Sequence, residues 1–98
     1  MKNEWTDSKA INNRMNELGW YCENTGGNCT AYIKQNEVNG DSDDYLLLTH
    51  RADAFIPEKG SDVCFIGFYR NGDLISSVEM PFWIVLEGYL NEAKFYDV

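Results

Sequence analysis

The sequence predicts an α+β fold: an antiparallel sheet of about five strands flanked by an N-terminal and a C-terminal helix. Three observations point there. Two pairs of strand-like runs close on turn signals, Asn24-Thr25-Gly26-Gly27 and Asn71-Gly72. A short apolar run, Tyr45–Thr49, stands between those pairs and is bounded by polar residues. Helical spacing of apolar residues occurs only towards the two ends of the chain. With 98 residues the chain forms a single domain, 1–98, that buries about 60–65% of its extended surface.

The first element is a helix over Ser8–Leu18. Thr6 or Asp7 suits its N-cap, because a side-chain oxygen there accepts from a free amide of the first turn. Ala10, Ile11, Met15 and Leu18 share one side; Asn12, Asn13, Asn16 and Glu17 share the other. Gly19 succeeds them as a left-handed terminator. The runs Trp20–Glu23 and Asn28–Lys34 then form a hairpin whose tight loop sets Cys22 opposite Cys29. Alternation places Trp20, Cys22, Cys29, Ala31 and Ile33 on a core face, and Tyr21, Glu23, Thr30, Tyr32 and Lys34 on a wetter one.

Gln35–Asp44 is a polar loop turning at Asn39-Gly40, and Tyr45–Thr49 is the central strand. His50–Asp62, with Pro57 and Gly60, is an irregular connection. Val63–Val78 is a hairpin on Asn71-Gly72, since a type I′ turn needs positive φ at both central residues. It pairs Arg70 with Asp73 and Tyr69 with Leu74. One face holds Val63, Phe65, Gly67, Tyr69, Leu74, Ser76 and Val78; the other holds Cys64, Ile66, Phe68, Ile75 and Ser77. Both faces are apolar, so both are predicted to be covered, the second by a helix, a loop or another protomer. In Pro81–Lys94, the residues Phe82, Val85, Leu86, Tyr89, Leu90 and Ala93 match helical spacing behind a proline at the first helical position. A C-terminal helix is predicted there, although Phe82–Val85 also suits a strand.

Charge sets the function classes. Eight Lys and Arg stand against 16 Asp and Glu, a net charge of −8, while a 14% aromatic content rules out a disordered acidic tail. Such a charge repels nucleic acid and anionic lipid and attracts basic surfaces. The cations are scattered, so no basic stripe for direct nucleic-acid binding exists. The same charge serves solubility. No apolar run approaches the roughly 18 residues of a membrane span. The N-terminus, MKNEWTDSKA, is polar and unlike a signal peptide. Three cysteines, an odd number, suit a reducing compartment. The expectation is a cytoplasmic protein in a bacterial host cell, with Cys22 and Cys29 as unbridged core thiols.

Motifs for chemistry are sparse. A zinc site from Cys22, Cys29, Cys64 and His50 does not match the C-x₂₋₄-C spacing, so no metal is expected. His50, with Asp53 nearby, is not tied by any motif to a cysteine or serine. The acidic stretch Glu37–Asp44 lacks the order of an EF-hand loop. There is no phosphate-binding glycine motif, and Gly26-Gly27 precedes no helix. No cofactor and no catalytic residue are predicted.

One stretch does resemble a known family. Leu18-Gly19-Trp20-Tyr21 with Asn24-Thr25-Gly26-Gly27-Asn28-Cys29-Thr30-Ala31 after it is similar to the TGG-x-C-x-A hairpin of small phage and prophage proteins. The resemblance carries no activity and assigns no catalytic residue. Size, acidity and helix–sheet outline are also similar in class to phage-encoded inhibitors of bacterial defence, such as the anti-CRISPR proteins. The resulting expectation is a non-enzymatic binding protein that docks on a basic surface of a host protein in a nucleic-acid-handling defence complex. Carboxylates imitating phosphates would make the contact: Glu37, Asp41, Asp43, Asp44, Asp53, Glu58 and Asp62, with Tyr21 and Tyr32 as aromatic anchors. One alternative is a small-ligand-binding or minor enzymatic domain using the TGG hairpin, Cys29 and His50. Another is a homodimer through the Val63–Val78 hairpin.

Overall fold

The computed structural model describes residues 5–24, 29–35, 44–52, 55–91 and 93–96. Helix α1 (Ser8–Glu17) leads into strands β1 (Tyr21–Asn24), β2 (Cys29–Gln35), β3 (Asp44–His50), β4 (Val63–Arg70) and β5 (Asp73–Pro81). Two short helices, α2 (Phe82–Leu86) and α3 (Ala93–Tyr96), end the chain. The strands pair antiparallel in the order β1-β2-β3-β4-β5. The α+β class and the five-stranded antiparallel sheet agree with the sequence.

The helix α1 forms where its caps and pattern require it. The Asp7 carboxylate accepts from the Lys9 amide at 3.1 Å, and Gly19 stops the helix at φ +94°. Ile11 and Met15, one turn apart, are buried against the sheet. Two long cations fasten the helical layer. Arg14 Nε donates to the Leu86 carbonyl at 2.7 Å, joining α1 to the end of α2. Lys34, on β2, donates to the Leu18 carbonyl at the end of α1, where a cation also suits the helix dipole.

The core lies between one face of the sheet and this layer. Tyr32, Leu46, Leu48, Ile66 and Phe68 meet Ile11, Met15, Trp20, Phe82 and Leu86 there. At the β3–β4 end, Arg70 grips Asp44 with Nε to Oδ1 at 3.0 Å and Nη2 to Oδ2 at 3.1 Å. The Arg70 guanidinium also lies 5.3 Å from the centre of the Phe68 ring.

Three expectations are corrected. The long C-terminal helix is broken: α2 ends at Leu86, Gly88 adopts φ +81°, and the next described helix is Ala93–Tyr96. A left-handed glycine stops the helix, so the apolar spacing of Tyr89 and Leu90 continues across a turn. In the first hairpin, Cys22 faces Tyr32 rather than Cys29, and Asn24 faces Cys29, with an irregularity between Glu23 and Asn24. The shift is odd, so it exchanges faces and sends Tyr32 into the core beside Cys22. In the second hairpin, Arg70 pairs with Asp73 and Tyr69 with Leu74 as expected, but a bulge between Phe68 and Tyr69 then pairs Phe68 with Ser76 and Ile66 with Val78. Ser76 and Val78 therefore join the inner face.

The cysteines also depart from expectation. Cys64 is a free, buried thiol, whereas Cys22 is disulfide-bonded. That bond removes the thiol argument for a reducing compartment. Among the described residues no helix is long and apolar enough to cross a membrane.

Asp44 has 1% relative exposure, so removing Arg70 takes the guanidinium fork away from a buried carboxylate. Arg70→Met is expected to lower the unfolding free energy by about 3 kcal/mol in a urea titration. Adding Asp44→Leu to Arg70→Met restores most of that loss, because no unpaired charge is then buried.

Candidate functional site

The helical segments that pack on the sheet use the same face, and no described helix covers the other, here called the open face. Antiparallel register puts the side chains of opposed residues on one side. From edge to edge, the open face receives Tyr21 from β1, Ile33 from β2, Tyr45 and Leu47 from β3, Phe65 and Tyr69 from β4, and Leu74 from β5. None of these belongs to the buried core, and Tyr21 and Leu74 are 44% and 51% exposed.

The face is continuous. Tyr45 and Tyr69 stand opposite one another with rings stacked at 5.2 Å and 6° between planes. Gly67 lies beneath the centre. A Cβ there would come within 2.9 Å of Leu74 Cδ1 and of Tyr69 Cε1, and within 3.3 Å of Phe65 Cε1. The missing side chain lets those groups fold down into one apolar floor. Contiguous apolar surface of this kind marks an interaction site more than scattered exposed residues do.

The charge on this face is one-signed. Both cations of the strands turn to the helix side, Lys34 onto α1 and Arg70 onto Asp44. Among the described strand residues of the open face there is no cation, and Glu79, opposite Phe65, is an exposed acid at its rim.

The contact residues expected from the sequence scatter. Glu37, Asp41, Asp43 and Asp53 lie outside the described residues, as does the tip at residues 25–28. Asp44 is buried and paired with Arg70, which removes its carboxylate from any contact surface. Tyr32, 1% exposed, is a core residue whose hydroxyl donates to Asn12 Oδ1 at 3.3 Å, so it is no anchor. Glu58 is exposed on the helix side, lining a cleft of about 290 Å³ with Ser8, Ile11 and Tyr32. Asp62 accepts from the Glu58 amide at 3.1 Å and stands 4.0 Å from His50 Nε2. Of the two expected aromatic anchors, Tyr21 alone lies on the open face.

His50 and Cys64 are opposed in register but do not make a nucleophile pair. His50 Nδ1 accepts from the Ala52 amide at 3.0 Å, and Nε2 faces Asp62. Burial pushes the Cys64 thiol from its ordinary 9.0 up to about 12. The thiol thus stays protonated, and the Nδ1 lone pair of His50 is engaged by the Ala52 amide. Among the described residues, no three of His, Cys, Asp or Glu come together as metal ligands would.

Sequence reasoning does not single out Ile33, Tyr45, Leu47, Phe65, Tyr69 and Leu74 as a site. The signal lies in the second apolar face of the β4–β5 hairpin, for which a cover is expected from the sequence. Alternation within Tyr45–Leu47 extends that face into β3.

Raised folded-state values mean that Cys64 and Tyr32, both shifted up by burial, favour folding only while protonated. Stability is expected to be fully present below pH about 9 and to fall as pH rises towards about 12, the window set by Cys64. Urea midpoints across that range check the sign. At pH 8 a thiol reagent is expected to modify Cys64 only at the rate of unfolding.

No family model, curated protein or solved structure matches the chain.

Proposed function

We propose that this protein is a non-enzymatic binding module that docks through the open face of its sheet on another protein. The partner surface is an apolar patch fringed by Lys and Arg. The observation that carries this reading is the continuous aromatic and aliphatic floor over Gly67, combined with the absence of a cation among its described strand residues. Covering one such side chain contributes about 1.5–3 kcal/mol, whereas an exposed ion pair contributes about 0–1 kcal/mol. The apolar floor therefore supplies affinity, and the −8 charge supplies approach and selection.

The anti-defence role belongs to this proposal as its narrower form. A nucleic-acid-handling host complex presents basic surface to its own ligand, and an acidic protein can compete for it. The supports for that narrower form are the TGG-x-C-x-A resemblance and the acidity. Two copies docking face to face would set −8 against −8, which disfavours the homodimer at low salt.

The test begins with affinity capture from bacterial lysate at low salt and continues by calorimetry with the purified partner. Tyr21 and Leu74 are exposed, so Tyr21→Ser with Leu74→Lys is expected to leave the melting temperature nearly unchanged. The same double change is expected to weaken binding by about a hundredfold. Glu79→Lys is expected to slow association and flatten the salt dependence. Binding indifferent to the double change, or a dimer in light scattering that the double change dissolves, would refute the proposal.

A further inference from the structure

The helical layer does not reach the edge of the sheet. Phe95 of α3 packs over Phe68 of β4, ring centroids 6.4 Å apart. Beyond it, the inner face of β5 remains as the floor of a groove of about 500 Å³. Val78 and Met80 form that floor, and Ile84, Tyr89, Leu90 and Phe95 the wall. The bulge between Phe68 and Tyr69 is what turns Ser76 and Val78 to this side.

The strand beside the groove is an edge. β5 is the last strand of the sheet and nine residues long, so among the described residues no strand lies along one side of its backbone. Natural edges are blunted by Lys, Pro or inward charges. Asp73, Glu79 and Pro81 stand towards the ends of β5 and the bulge falls at Ile75, but Ser76, Ser77 and Val78 between them carry no such device. An exposed edge next to an apolar groove is the arrangement by which an extended segment adds a strand, with main-chain hydrogen bonds for affinity and side-chain pockets for selection.

We propose that this edge and groove bind an extended peptide segment of another protein. The segment adds to β5 as a further strand, sinks alternate apolar side chains into the groove and sets a carboxylate against Lys94. Lys94 is exposed on α3 and is the one charged residue among the described residues lining the groove. The rest of the molecule is strongly acidic, so a carboxylate is favoured at this point and disfavoured around it. A second copy of the chain fits less well. A two-fold pairing of β5 with β5 brings a second groove to the seam, which doubles the unfilled volume instead of filling it. The site uses the edge and the helix side of the sheet, so it stands or falls apart from docking on the open face.

The probe is a blocked fluorescent peptide of alternating Leu and Thr ending in Glu, titrated against the full chain by fluorescence anisotropy. Saturable binding is expected. Methylating alternate peptide nitrogens of the probe is expected to weaken it about tenfold or more, because strand addition needs those donors. Lys94→Glu is expected to weaken the Glu-ended probe about tenfold and to favour a Lys-ended one, with an unchanged melting temperature. Tyr89→Ala, at an exposed wall position, weakens both probes. No saturable binding, equal binding of the methylated probe, or a dimer that the probe dissociates would each overturn the proposal. The Tyr21→Ser protein, changed on β1 at the opposite edge, is expected to bind the probe normally, which separates this site from the open face.

Discussion

A five-stranded sheet has two faces, and the described helices cover one. Its helices run to ten, five and four residues. A domain of this size has little chain to spare, and the helical segments are drawn to a single layer by the side chains that hold them together. Arg14 binds α1 to the end of α2, Lys34 binds α1 to β2, and Phe95 reaches across to Phe68. Among the described residues that leaves a closed core on one side, a half-exposed apolar face on the other, and a strip along β5 without a helix over it. Both candidate binding surfaces are by-products of that one deficit.

Local signals in the sequence foretell much of this. The cap at Asp7, the glycine after α1 and the Asn71-Gly72 turn act over a few residues, and each element they define is present. Signals that depend on counting along a strand are weaker. A single extra residue on β5, Ile75 opposite the Phe68–Tyr69 step, exchanges the faces of Ser76 and Val78, and the odd shift in the first hairpin does the same to Tyr32. No composition rule foresees such a slip, because it is decided by packing on both sides of the strand. Gly88 illustrates the reverse case: a local stop signal is visible in the sequence, but the apolar spacing on either side of it masks it.

The candidate site is less legible than the fold. Residue type and loop position single out carboxylates, yet burial and pairing decide what a carboxylate can do. Asp44 shows this most clearly. It sits next to the acidic loop in sequence, but Arg70 draws it inside as a structural ion pair. Such a pair adds little net stability, but it fixes the register of β3 against β4, since both oxygens are matched to the guanidinium fork. Apolar residues stand out less, because an exposed Tyr or Leu is ordinary until its neighbours across the strands are known.

The inward turn of Lys34 and Arg70 has a consequence at long range. Lys34 reaches α1 and Arg70 holds Asp44 on the inner face, while Lys9 and Arg14 stand on α1 and Lys94 on α3. The open face is left without a cation among its described strand residues, so a cationic surface that approaches it meets no like charge from the strands.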